Sequence, residues 1–284
     1  MNLDTLATNK KFLRDIIRND FQISESVNAT ELCLKLMPNL HSIDAEFRDE
    51  LSYGVLANLL ERESFTVQEW SEILAVSVSD DYLFWGIGQY DTDTVFARAF
   101  AILIVAVIVE FDAVRGLLRP EQVHQTTETV LDYVRRERDY RGYVDGKGWA
   151  HSVAHMSYAL DSCAHHPSTT KEERMAILDS IFELATLPAP LSYMEADHLS
   201  RVVFRMIKDE QVTAEELHPW IERFSLELDR TGETVLRNGN ASDLLKSLYF
   251  LLTWEQPNHP LINIISAQIK KMNIFYRYGI SFDS

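Results

Sequence analysis

Basic residues are short in this chain: 27 lysines and arginines face 43 aspartates and glutamates, a formal net charge of −16. Surfaces that hold phosphate backbones or anionic lipids need a cationic excess, so nucleic acid is not an expected partner. Glycine and proline are scarce too, 10 and 8 in 284 residues. So few turn formers favour long helices over many short strands. Two cysteines, Cys33 and Cys163, cannot build a disulfide framework, and a reducing cytoplasm is the expected compartment. The opening MNLDTLATNKKFLRD carries charges where a secretion signal would be apolar. The longest uncharged apolar run, Ala99 to Val109, has eleven residues. A bilayer span needs roughly 20, so no membrane insertion is expected and the run reads as a helix buried on all sides.

What is present is helical spacing. Phe47, Leu51, Val55, Leu59 and Leu60 recur mostly at steps of four, marking one buried face. Thr66 to Glu69, Thr169 to Glu172, Ser192 to Glu195 and Thr213 to Glu216 fit the capping box, and Pro120 suits a first helical position. The pattern predicts helices near 3–20, 29–38, 43–63, 67–78, 92–117, 120–137, 147–165, 169–187, 192–209, 213–231, 241–253 and 259–276. Strand-like alternation is absent except in the last residues, Phe275 to Phe282. The starts at Thr66, Pro120, Thr169 and Thr213 lie 54, 49 and 44 residues apart. That is near the about 40–47 of HEAT and armadillo units. The expected fold is therefore all-α: antiparallel helix pairs stacked as a HEAT/armadillo-like α-α superhelix, with a closed bundle as the rival. No linker is visible, so residues 1–284 are expected to form a single all-helical domain.

One segment is chemically dense: Asp139 to His155 (DYRGYVDGKGWAHSVAH). A helix opened by Trp149 would carry His151 and His155 at i and i+4, on one face and able to converge on a shared ligand. Three readings stay open. The imidazoles pin the preceding loop, they bind an organic ligand or peptide, or they hold a metal with a third ligand from Asp139, Asp161, Glu195, His198 or His165. Ser152 stands where an H-E-x-x-H protease has its glutamate, so that enzyme class is excluded. Nucleophile elbows and phosphate loops are also missing, and Gly86-Ile-Gly88 and Gly146-Lys-Gly148 lack the third glycine of a dinucleotide site. No cofactor is expected.

Other polar residues carry simpler expectations. Arg98, ahead of the apolar run, needs a buried carboxylate such as Asp91, Asp93 or Asp49. His165 and His166 suit a helix C-terminus, and Cys163 a buried thiol. Glu195 and Arg201 share one helix and are candidates to line a groove beside the two histidines. Trp85, Tyr90, Tyr140, Tyr143 and Trp149 gather at the two glycine-containing breaks, the composition of a binding groove.

Gly148-Trp-Ala-His-Ser-Val-Ala-His155, preceded by Asp139-Tyr-Arg-Gly-Tyr143, resembles a bacterial family named domain of unknown function 2785. Arg48 to Tyr53 (RDELSY), Gly86-Ile-Gly88, Val95-Phe-Ala-Arg98, Glu195 and Arg201 agree in order, covering Asp44 to about Arg201. The resemblance implies an all-helical α-α superhelix and no assigned activity. The family pattern follows the second histidine with Gly-Ala-Asp and has a serine where Ala99 stands; here the triplet is Met156-Ser157-Tyr158. The missing acid removes a metal or proton partner. The leading expectation is a cytoplasmic binding or scaffold module. Its groove would comprise Asp139, Arg141, Lys147, Trp149, His151, His155, Glu195 and Arg201, and would take a peptide, protein or small molecule. The alternative is a metal-dependent or acid/base hydrolase using His151 and His155.

Overall fold

The computed structural model describes residues 3–277, apart from 226 and 230. They form an all-α protein: α1 (Leu3–Ala7), α2 (Lys10–Arg18) and α3 (Ala29–Leu36), a 3₁₀ turn at Met37–His41, then a π-helix, Glu46–Tyr53, running straight into α4 (Gly54–Arg62). There follow α5 (Val67–Ser77), α6 (Thr94–Arg115), α7 (Pro120–Arg136), an antiparallel hairpin of β1 (Tyr143–Val144) and β2 (Gly148–Trp149), and α8 (Ser152–His165). The remainder is α9 (Lys171–Ala185), α10 (Glu195–Lys208), α11 (Ala214–Glu222), α12 (Gly232–Glu255), α13 (Leu261–Met272) and α14 (Ile274–Arg277). Two compact units divide the chain, Met1–Thr170 and Lys171–Ser284.

In the first unit α6 is the core. Every residue from Val95 to Ala106 is buried, and its packing against α8 is the most extensive between helices there. At 22 residues, with an 18-residue stretch of mean hydropathy 2.3, α6 is long and apolar enough to cross a membrane, but 78% of that stretch is buried inside the protein, as in a core helix. It stops at Gly116, whose φ of +64° closes the last turn. Asp112 then accepts the amides of Leu117 and Leu118, both at 2.9 Å. His166 docks on the same carboxylate at 3.2 Å through Nε2, while its Nδ1 accepts the Ser168 amide, which fixes the proton on Nε2. His165 Nδ1 donates to the Asp161 carbonyl at 2.8 Å, the helix-end contact expected of it.

Arg98 forms the buried ion pair that its position demands, but with Glu137 rather than Asp91, Asp93 or Asp49. Both side chains are fully buried, and Glu137 also accepts from Tyr133 Oη and from the amides of Arg138 and Asp139. The carboxylate sits just past the end of α7, where the chain turns back across α6.

Capping boxes close at Thr66 with Glu69 and at Thr213 with Glu216. The other two do not form as expected. Glu195 accepts the Tyr193 amide at 2.7 Å and Met194, at φ +67°, takes the cap position of α10. The Thr169 hydroxyl instead donates to the Cys163 carbonyl at 2.6 Å, and α9 begins at Lys171. In the second unit α11 ends at Glu222, well short of 231, and α12 begins at Gly232 rather than 241. Thr231 caps that start, and Asn238 and Asn240, turn formers by type, sit inside α12 with their amides tied to Glu227, Leu187 and Ala189 carbonyls. Of the terminal stretch expected to alternate, 278–282 lies outside the described residues, and α14 ends at Arg277.

Candidate functional site

The dense segment does not open as a helix at 147. It makes the hairpin first, because Gly146 and Gly148 take positive φ and the Gly142 carbonyl accepts both the Ala150 and His151 amides, turning the chain into α8. Two-residue strands are too short to leave an alternating pattern. Val144 packs on Val95, Phe96 and Ala150, which seats the hairpin on the start of α6. Gly148, at φ +82°, admits no side chain: a Cβ there would lie 2.6 Å from that of Ala45.

Beneath the hairpin lies Arg48, supplied by the π-helix and fully buried. Its Nη2 donates to the carbonyls of Lys147 at 3.0 Å and Trp149 at 3.3 Å, and Nη1 to that of Ser42 at 2.8 Å. The guanidinium lies 4.1 Å from the Phe96 ring centroid and 5.1 Å from that of Phe100, and Nε pairs with Asp49 at 2.6 Å. Burial lowers the affinity of Arg48 for its proton and pushes the Asp49 carboxyl up to about 6, outweighing the pull of the guanidinium beside it. π-Helices are rare and cluster at functional sites. This one aims Arg48, Asp49 and Tyr53 at a single region.

Three of the expected groove residues hold the loop. Asp139 is fully buried and grips Arg141 at 2.7 and 2.8 Å; Arg141 also reaches Asp91 and the Thr92 carbonyl. Lys147 pairs with Asp93 at 2.6 Å. These contacts clamp residues 138–148 against the segment before α6. Tyr140 donates to the Glu137 carbonyl, so it too belongs to this clamp.

Trp149, His151 and His155 are brought together. His151 is the cap residue of α8, at φ +50°, and not a position inside it; its carbonyl accepts the His155 amide at 2.8 Å. The spacing therefore converges as expected, with ring centroids 5.7 Å apart. Trp149 stacks flat on His151 at 4.0 Å and 4°, and Tyr143 meets Trp149 edge-on at 5.0 Å. His155 Nδ1 donates to the Ala99 carbonyl at 2.9 Å. His155 also meets Phe100 edge-on at 5.2 Å, and Phe100 meets Tyr53 at 5.5 Å. Trp149 is 38% exposed and Tyr143 47%, so this chain of rings runs from the surface into the unit. Arg48 and Tyr53 stood out in the sequence only as part of the family resemblance and Phe100 only as part of the buried run, so none of the three was legible as a site residue. The signal that could have found Arg48 is a lone cation on a helical-period apolar segment.

Among the described residues no group of three or more His, Cys, Asp or Glu is arranged to hold a metal ion. The third-ligand candidates are placed otherwise: Asp139 on Arg141, and Asp161 and His165 on each other. Glu195, Arg201 and His198 lie on α10 in the second unit. Glu195, 2% exposed, lines a cleft of about 380 Å³ there with Asp197, Asp243, Lys246 and Phe250.

No curated protein matches the sequence, and no solved structure does either. The family model described as "Protein of unknown function (DUF2785)" matches residues 83–250, which include the hairpin, both histidines and α6. The match covers more than half of the chain, and the protein belongs to that family.

Proposed function

We propose that the first unit is a binding module whose recognition surface is the ring cluster of Trp149, His151 and His155. One observation carries this reading: a half-exposed tryptophan is held flat against an imidazole by a loop that three side chains tie to neighbouring segments, Arg48, Arg141 and Lys147, with Asp139 bracing Arg141 from within. Proteins rarely rigidify an exposed aromatic without use for it, since a preorganised ring binds at low entropic cost. The absence of a three-ligand cluster among the described residues favours binding over the metal-dependent hydrolase. Two free, buried cysteines, with the Cys33 thiol pushed up to about 12 by burial, support a reducing compartment. Stacking of successive helix pairs as a HEAT-like superhelix is part of the same proposal, supported by the short α6–α7 connection and by α6 and α7 both packing on α8.

The test is a fragment screen by saturation-transfer NMR on the full chain and on Trp149→Ala and Trp254→Ala. Trp254 is 70% exposed and lies in the second unit, so it reports mere adhesion to tryptophan. Planar heteroaromatic fragments lost in Trp149→Ala but kept in Trp254→Ala support the module. Equal loss in both variants, or no bound fragment, overturns it.

A further inference from the structure

We propose that the cleft in the second unit is a binding site for an organic cation, an ammonium or guanidinium group carried on an apolar stem. It shares no residue with the ring cluster of the first unit. Three stretches of chain enclose it: residues 191–194, the first turn of α10, and α12 from Asp243 to Phe250. Polar contacts fix their spacing. Asn240 donates to the carbonyls of Leu187 and Ala189 at 3.0 and 2.8 Å, which ties the incoming segment to α12. Ser247 donates to the Asp197 carboxylate and lies 2.8 Å from the Ser200 hydroxyl, which joins α12 to α10. The space so held is about 380 Å³, within the roughly 300–1,000 Å³ of small-ligand pockets.

The lining is acidic. Among the described residues there, Glu195, Asp197 and Asp243 face one lysine, Lys246, which pairs with Asp243 at 3.0 Å where both side chains are more than half exposed. Glu195 is the inner acid, 2% exposed. Its Oε2 accepts the Tyr193 amide at 2.7 Å, and the carboxylate forms no ion pair with a described residue. His198, one turn along α10, is drawn toward its neutral form mainly by burial, so it does not supply the missing charge. A carboxylate that deep without a counter-charge is costly, and an incoming cation offsets the cost. An anion would meet three acids, two of which already occupy the positive end of α10.

The rest of the lining says what carries the cation. Leu191, Met194, Ala196 and Phe250 are apolar, and Met194 and Phe250 are 69% and 47% exposed. Phe250 stacks with Trp254 at 5.6 Å between ring centroids, which holds its ring in place. Exposed apolar side chains beside a buried acid match an alkyl or aryl stem that ends in a positive charge, and a cation near a ring face is attracted to it. An inorganic ion fits less well, since among the described residues no three acids, histidines or cysteines converge on one point. Small amines and the lysine or arginine side chains of a peptide share this chemistry.

The experiment is a saturation-transfer NMR titration of the full chain with phenethylamine, with phenethyl alcohol and hydrocinnamate as its neutral and anionic counterparts, and with the capped peptide acetyl-Leu-Lys-Leu-amide. The tighter-binding of the two cations is expected to weaken about tenfold or more in Glu195→Gln and to weaken measurably in Phe250→Ala, and phenethylamine to outbind both counterparts. Glutamine keeps an acceptor for the Tyr193 amide and Phe250 lies at the surface, so both variants are expected to fold. Glu233→Gln removes one exposed charge elsewhere on α12 and is expected to bind as the parent does. Absence of binding by both cations, equal binding of the three phenyl compounds, or unchanged binding in Glu195→Gln overturns the inference. An equal loss in Glu233→Gln overturns it too, because the attraction is then one of net charge. With dependence on Glu195 established, a tighter peptide identifies a peptide side chain as the source of the cation, and a tighter phenethylamine a small amine.

Discussion

Two arginines are fully buried in the first unit, and they are neutralised in opposite ways. Arg98 is held by charge: Glu137 meets it through both oxygens, at 2.7 and 2.9 Å, and Thr94 and two carbonyls take the remaining donors. Burial works against that guanidinium, but Glu137 outweighs it and its proton is held more firmly than usual. Arg48 is held by dipoles and rings, three carbonyls and two phenylalanines, with Asp49 as its neighbour in sequence. There burial wins, and both partners shift toward neutrality. The Arg98 pair is a self-contained strut. The Arg48 pair depends on what the hairpin presents to it, so it couples the hairpin to the π-helix.

The largest effect is expected at the strut. Arg98→Met leaves Glu137 buried without its counter-charge and should cost about 3–5 kcal/mol; urea unfolding at pH 7 measures it. If Arg98→Met/Glu137→Gln recovers nothing, the strut is not the self-contained pair described above. Arg48→Met should cost less, about 2–3 kcal/mol, because it strands carbonyls rather than a fully buried charge. Its particular signature is faster amide exchange at residues 143–151, whereas an effect spread evenly over the unit would mean that Arg48 does not single out the hairpin. Gly148→Ala probes the same junction from the other side, through a left-handed backbone and a 2.6 Å approach to Ala45. About 1–3 kcal/mol is expected, read as a shift in melting temperature.

The smallest effect concerns pH. The Asp49 carboxyl keeps its proton up to about 6 in the folded chain, against 3.8 without its surroundings. Between those values the folded state binds more protons than the unfolded one, so stability falls as pH rises through that window and is level above it. Asp49→Asn lacks this term and should gain on the parent as pH goes from 4.5 to 7.5, by urea midpoint. A parallel pair of profiles would mean that the carboxyl is solvated and that the two arginines differ less in how they are neutralised.

How far the sequence reached follows from the range of each interaction. Local signals read well: the all-α class, α6 from its apolar run, the capping boxes at Thr66 and Thr213, and the convergence of His151 with His155. The need of Arg98 for a buried acid was legible too, but its identity was not, since Glu137 lies 39 positions away and no spacing rule spans that distance. The polar residues of the loop looked like a groove because composition cannot tell a side chain aimed at a ligand from one aimed at a neighbour. Asp139 and Arg141 pair with each other and Lys147 with Asp93, contacts that no spacing in the sequence announces. Tyr53 and Phe100 were hidden by the regularity of their own segments, and the π-turn that redirects Arg48 changes hydrogen bonding without changing apolar spacing.

Arg48 also bears on where this protein can be cut. The family match begins at residue 83, and a fragment excised at that boundary would keep the hairpin, both histidines and α6. It would lack the guanidinium that seats the Lys147 and Trp149 carbonyls, together with the Leu51, Val55, Leu59 and Leu60 surface of the same segment. The matched stretch is thus not expected to be a separable piece. An expression boundary intended to preserve the ring cluster has to start upstream of Ser42, whose carbonyl completes the seat of Arg48.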